Sequence, residues 1–135
     1  MRKNSFTLIE LMIVIAIIII LAGIAVPMFA RNRLLAQMAK VVAELDTIRT
    51  AANMYHHDTE QLVPLGNSGA GLAADNGVAN WRGPYMDQWK ADPWNTPYEI
   101  FDNGTSPTRR FVGSGGPTAG DDNITLLICP DTSLP

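Results

Sequence analysis

Residues 6–30 read FTLIELMIVIAIIIILAGIAVPMFA, an apolar run broken by one charge, Glu10. As a helix rising about 1.5 Å per residue, the run would be about 37 Å long, more than the roughly 30 Å of a bilayer's hydrocarbon core. A cleaved secretory signal has a shorter apolar stretch, about 7–15 residues, that ends in small residues. This run is longer and leads into a further helical pattern, so it is expected to stay with the protein. Arg2 and Lys3 precede it. Basic residues on that flank place the N-terminus in the cytoplasm and the remainder of the chain outside it.

Glu10 is the anomaly. A carboxylate this far into a membrane helix is costly unless it is paired, neutralised or close to the headgroups. One reading has it snorkel to the cytoplasmic interface. The other gives it a positive partner, and no Lys or Arg lies between Glu10 and Arg31. Such a partner would have to come from another molecule.

Beyond Pro27 the pattern turns amphipathic. Leu34, Met38, Val41, Leu45, Ile48, Ala52 and Tyr55 recur at spacings of four and three, with Arg31, Arg33, Gln37, Lys40, Glu44, Asp46 and Arg49 between them. That spacing puts one apolar and one polar face on a helix. The expected helix runs from Phe6 to about His57, about 78 Å long. The stripe is too short and too irregularly charged for a coiled coil, and packing on a small sheet explains it better. His56 and His57, as neighbours on a helix, point about 100° apart and do not suit one metal ion; their charged forms suit the helix C-terminus.

From Arg31 onward there are 8 basic and 12 acidic residues, a net charge of −4, and no basic patch with interleaved aromatics. Nucleic acid is therefore not an expected partner. The single cysteine, Cys129, has no intrachain disulfide partner and follows Leu126-Leu127-Ile128, which suggests a small buried hydrophobe. No nucleophile triad, phosphate loop or zinc spacing is present, so an enzyme is not expected.

Residues 58–80 are rich in Gly, Pro and Asn and read as loop. In the following block, Asp92-Pro93 and Asn95-Thr96-Pro97 are turn chemistry, and Tyr98-Glu99-Ile100-Phe101 alternates as a strand does. The aromatics there are expected to fill a small core rather than to form a ligand box. Asp92, standing before a proline, is expected to accept backbone hydrogen bonds in a turn rather than to act as a catalytic acid. Residues 111–124 form a glycine-dense stretch containing Asp121 and Asp122, readable either as a solvated loop or as a site for a hard cation such as calcium.

Ser5-Phe6-Thr7-Leu8-Ile9-Glu10 after Arg and Lys resembles the signal of type IV pilins and type II secretion pseudopilins. The resemblance implies an α+β fold in which a long N-terminal helix packs on a small antiparallel sheet. It also divides the chain into a leader (1–5), a transmembrane and filament-core helix (6–30), and a globular domain (31–135). A membrane-bound prepilin peptidase would cut between Ser5 and Phe6 and methylate the Phe6 amine; the family usually has Gly where Ser5 stands. That amine would then neutralise Glu10 of a neighbouring subunit during assembly, a pairing that sets axial register. Pro27 matches a proline common in these helices. Proline removes a helical hydrogen bond, and Gly23 four residues earlier adds softness, so a kink or melted stretch between them is expected in the filament.

Gly83-Pro84-Tyr85 and Ala91-Asp92-Pro93-Trp94-Asn95-Thr96-Pro97-Tyr98 resemble a segment of the major pseudopilin, with Asn95 in place of the usual Gly. This likeness implies a calcium loop formed by Asp121, Asp122, the carbonyl of Ile124 and Val112, with Ser114 or Gly115 standing where the family has a further aspartate. The function implied is that of a structural subunit, the major pseudopilin of a type II secretion system, polymerising with copies of itself. Its partners would be the peptidase, an inner-membrane assembly platform, minor pilins or pseudopilins, and lipid before assembly. The location would be the inner membrane, then a periplasmic pseudopilus. The alternative is a type IV pilin of a surface filament for adhesion, motility or DNA uptake; the single cysteine argues against the C-terminal disulfide frequent there.

Overall fold

A computed structural model describes residues 6–104, 109–117 and 123–129. Helix α1 spans Leu8–Thr59, followed by strands β1 (Glu99–Asp102), β2 (Arg110–Ser114) and β3 (Ile124–Cys129). The chain forms two compact units, residues 1–37 and 38–135. In the first unit the described residues are helical from Leu8 onward and almost wholly exposed. Among the described residues, its large apolar side chains are exposed. The helix is long and apolar enough to cross a membrane by length and composition.

The second unit holds the core. Val41, Leu45, Ile48, Ala52 and Tyr55 are buried at the spacing their sequence predicts, joined by Ala51. They cluster with Ile100, Val112 and Ile128 of the sheet and with Val63, Leu72 and Tyr98. Leu34, the first member of the predicted stripe, is 37% exposed and Met38 is half-buried, so full burial begins at Val41. Removing a Val, Leu or Ile side chain from water contributes roughly 1.5–3 kcal/mol. The domain's driving force is thus shared between α1 from Val41 to Tyr55 and the side chains of the sheet and the preceding segment that meet it.

The sheet is antiparallel in the order β1-β2-β3, with Ile100, Val112 and Leu126 opposite one another on the covered face. On the other face Phe101 and Phe111 stack with ring centroids 5.7 Å apart. The glycine-dense stretch read as loop from Phe111 onward proves to begin as the central strand. Its local sequence, Phe-Val-Gly-Ser, carries little strand preference beyond Phe and Val; pairing on both sides supplies the rest.

α1 ends two residues beyond the predicted His57. Glu60 takes φ 56°, and its N–H donates to His56 O at 2.8 Å. Thr59 Oγ1 donates to Tyr55 O at 2.8 Å and accepts from Gln61 N at 3.2 Å. The two histidines face separate partners, His56 Nδ1 lying 2.9 Å from Gln61 O and His57 Nδ1 3.2 Å from Asp58 Oδ1.

Aromatics fill the space between helix and loop, as expected. Tyr85 meets Tyr55 and Trp81 edge to face, with centroids 6.0 Å apart in both pairs. Trp81 Nε1 donates to Gly71 O at 2.7 Å. Gly69 adopts φ +65°, and a Cβ there would fall 2.7 Å from the Trp89 ring, so the position has room only for hydrogen. Tyr98 is buried, its hydroxyl donating to Glu44 Oε2 at 2.5 Å. Burial first, and the Glu44 carboxylate second, push that phenol well above its ordinary range.

Tyr85 donates to Asp58 Oδ2 at 3.1 Å and accepts from Arg82 N at 3.0 Å. The His57 hydrogen bond, helped by Tyr85 and Arg82, holds the Asp58 carboxyl below its usual 3.8. A depressed carboxyl pKa contributes stability above the unfolded value, and that stability disappears as pH falls through the folded one. Acid unfolding should therefore show wild type more stable than Asp58→Asn above about pH 4, with the gap closing below it. Denaturant titration should find Ile48→Ala, at a site 2% exposed, less stable by about 2–4 kcal/mol. Val42→Ala, at a site 57% exposed, should stay within about 0.5 kcal/mol of wild type.

Candidate functional site

The first turn of α1 carries a polar arrangement of its own. Thr7 precedes the helix as its N-cap residue, and Leu11 N donates to Thr7 O at 3.4 Å. Glu10 Oε2 accepts from Thr7 N at 2.9 Å and from Thr7 Oγ1 at 2.8 Å. In return Glu10 N donates to Thr7 Oγ1 at 3.3 Å. This is a capping box, in which residues at N-cap and N3 satisfy each other's free amides. A carboxylate in the first turn also lies at the positive end of the helix dipole. Glu10 thus has a partner within its own chain, Thr7. The signal was present as Thr7-Leu8-Ile9-Glu10, a Thr-x-x-Glu pattern directly before an apolar run.

Phe6, the residue predicted to become the new N-terminus, is exposed immediately before this cap. Ser5, on the other side of the predicted cut, lies outside the described residues. Gly23 and Pro27 sit within the helix, which continues through both in the single chain. Nothing among the described residues lies within 4 Å of a Cβ placed at Gly23, so none of them demands a glycine there. Pro27 has no N–H to give, which leaves the Gly23 carbonyl without its helical donor.

Of the residues assigned to a calcium loop, Val112, Ser114 and Ile124 lie among the described residues. Asp121 and Asp122 lie outside the described residues. Val112 stands in the central strand, opposite Ile100 on one side and Leu126 on the other. The N–H and C=O of an antiparallel residue point to the same neighbour, so the Val112 carbonyl faces a ladder partner whichever way it turns. Ser114 pairs with Ile124 at the end of β2, and its hydroxyl donates to Asp92 Oδ2 at 2.6 Å and accepts from Gly116 N at 3.2 Å. Val112 and Ser114 are thus committed to protein partners and do not fit an open set of cation ligands. Cys129 closes β3; its side chain lies outside the described residues.

Asp92 behaves as the turn residue its sequence suggests. Its Oδ1 accepts from Trp94 N at 3.0 Å and Thr96 N at 2.8 Å. Asn95 adopts φ 67°, the left-handed conformation in which Asn readily replaces Gly.

Comparison with known proteins adds two family matches. Residues 1–26 match the prokaryotic N-terminal methylation motif, and residues 35–111 match the family described as PilW, C-terminal. Among curated proteins, the type II secretion system core protein G of Aeromonas hydrophila is 31% identical over 131 residues, 91% of each chain. That of Vibrio cholerae is 31% identical over 129 residues, 90% of this chain and 88% of its own. That of Escherichia coli K12 is 29% identical over 132 residues, 92% of this chain and 90% of its own. No solved structure gives a significant match.

The capping box makes a direct prediction. In detergent micelles, Thr7→Ala should speed amide exchange at Glu10, whose N–H donates to the Thr7 hydroxyl, about fivefold, the equivalent of a cap contributing about 1 kcal/mol. Thr7→Ser should leave exchange unchanged. Equal rates in wild type and Thr7→Ala would show that the box contributes nothing to the helix start.

Proposed function

We infer the role of this chain from the family it belongs to, that of the type II secretion system core protein G. It is a pseudopilin, a structural subunit that polymerises into a helical filament. The observation that carries this reading is the match along nine-tenths of both chains, which unites the apolar helix and the small domain in one relative. The apolar helix is the subunit's membrane anchor, and the methylation motif over residues 1–26 marks it for N-terminal processing.

The finer steps follow from chemistry. Arg2 and Lys3 hold the N-terminus on the cytoplasmic side of the inner membrane, with the domain in the periplasm. A prepilin peptidase cuts between Ser5 and Phe6 and methylates the Phe6 amine, exposing a cation one residue before the Thr7 cap. While the subunit rests in the bilayer, Thr7 satisfies Glu10. On assembly the Phe6 amine of the next subunit approaches the same carboxylate, whose Oε2 is held by Thr7 while Oε1 accepts no hydrogen bond among the described residues. An ion pair in a medium of low dielectric is strongly dependent on geometry, so this pairing sets axial register. The Gly23 carbonyl freed by Pro27 gives the helix a place to bend as subunits pack. An inner-membrane assembly platform and minor pseudopilins complete the set of partners, and the growing filament drives secretion across the periplasm.

Deletion of the gene should abolish secretion of the type II substrates while leaving surface fibres intact under the electron microscope. Lost fibres with intact secretion would place the chain in a surface pilus instead. Glu10→Gln should be processed normally after Ser5 yet remain in the membrane fraction, with filament yield down at least tenfold if the ion pair contributes about 1.4 kcal/mol or more.

A further inference from the structure

We propose that the end of β2 is fastened to the 91–97 turn by an ion-free clasp between Asp92 and Ser114, and that the domain holds its fold without calcium. Asp92 is 5% exposed and Ser114 2%. A carboxylate so enclosed must be satisfied by donors or a cation, because an unpaired buried charge is strongly destabilising. Here three donors meet it. The Trp94 and Thr96 amides close on Oδ1 at 3.0 and 2.8 Å, and the Ser114 hydroxyl closes on Oδ2 at 2.6 Å. A hydroxyl donating to a carboxylate at 2.5–2.7 Å belongs to the strong, charge-assisted class.

The backbone reinforces the same turn. Asp92 N donates to Thr96 O at 2.8 Å, Asn95 N donates to Asp92 O at 2.9 Å, and Ala91 bridges Pro97. On the opposite side, Gly116 N donates to Ser114 Oγ at 3.2 Å, so the serine grips the first residues beyond β2 as well. One hydroxyl therefore joins two segments 22 residues apart. A cation ligated at Ser114 would have to share an oxygen that already gives one hydrogen bond and receives another. An aspartate at this position would set two carboxylates against each other and need a cation between them; a serine removes that need.

The test uses the full-length chain in detergent micelles and follows thermal unfolding by tryptophan fluorescence. All three tryptophans, Trp81, Trp89 and Trp94, lie in the block that the clasp organises. Any ion bound by the native state raises its melting temperature by mass action. In about 10 mM calcium, well above the 10⁻⁴–10⁻³ M range of weak extracellular sites, the midpoint should lie within about 2 °C of that in chelator. Ser114→Ala should melt about 5–10 °C lower in both conditions, since it leaves Asp92 Oδ2 without its donor, and Ser114→Thr, which keeps the hydroxyl, should recover at least half of that loss. A larger gain of the wild-type midpoint in calcium overturns the proposal, and so does Ser114→Ala melting like wild type. If Ser114→Ala fails to fold, the calcium comparison on wild type decides alone.

Discussion

A three-stranded sheet with an apolar face cannot stand uncovered in water, and the cover here is the stretch of α1 from Val41 to Tyr55. That single contact layer constrains everything around it. The helix must be amphipathic over just this span, and β1, β2 and β3 must present Ile100, Val112 and Ile128 on the same side. The remaining space is closed by residues from the long segment between helix and sheet. Because that segment has little regular structure, it relies on large side chains, Trp81, Tyr85, Trp89 and Trp94, to contribute apolar area.

Burying so much irregular backbone raises a second demand, since each enclosed N–H and C=O needs a partner. Side chains supply many of them. Trp81 reaches Gly71 O, Tyr85 receives Arg82 N, and Asp92 receives two turn amides. Long-range side-chain pairs then tie these local turns to the two regular elements: Tyr85 to Asp58 and Tyr98 to Glu44 on α1, and Asp92 to Ser114 on β2. The domain is thus an apolar layer with polar fastenings at its margins. On the sheet, Arg110 Nη1 and Asp102 Oδ2 add another at 2.7 Å.

The sequence conveyed some of this and not the rest, for identifiable reasons. The apolar stripe was legible because a period of 3.6 is a local property of α1, whereas the exposure of Leu34 depends on where the domain's cover ends. The roles of Asp92 and Asn95 were legible because turn chemistry is encoded within four or five residues. Strand β2 reads as loop in the sequence because Val112 and Gly113 become a strand through partners in β1 and β3, more than ten residues away on either side. Ser114 likewise gave no local sign that it would meet Asp92. At the N-terminus the signal is local. The Thr-x-x-Glu pattern encodes the capping box within four residues, beside the charge that makes Glu10 costly in a membrane helix.

The capping box and the filament chemistry bear on one another, because the carboxylate that Thr7 satisfies in a lone subunit is the one a neighbour's amine is expected to meet. That logic requires a free, methylated amine at Phe6 in assembled subunits. Intact-mass and N-terminal fragment spectrometry on purified filaments measures it directly. The account predicts a chain that begins at N-methylated Phe6 as the major component of the filament. A filament chain that still carries residues 1–5, or filaments that lack this protein, would contradict it.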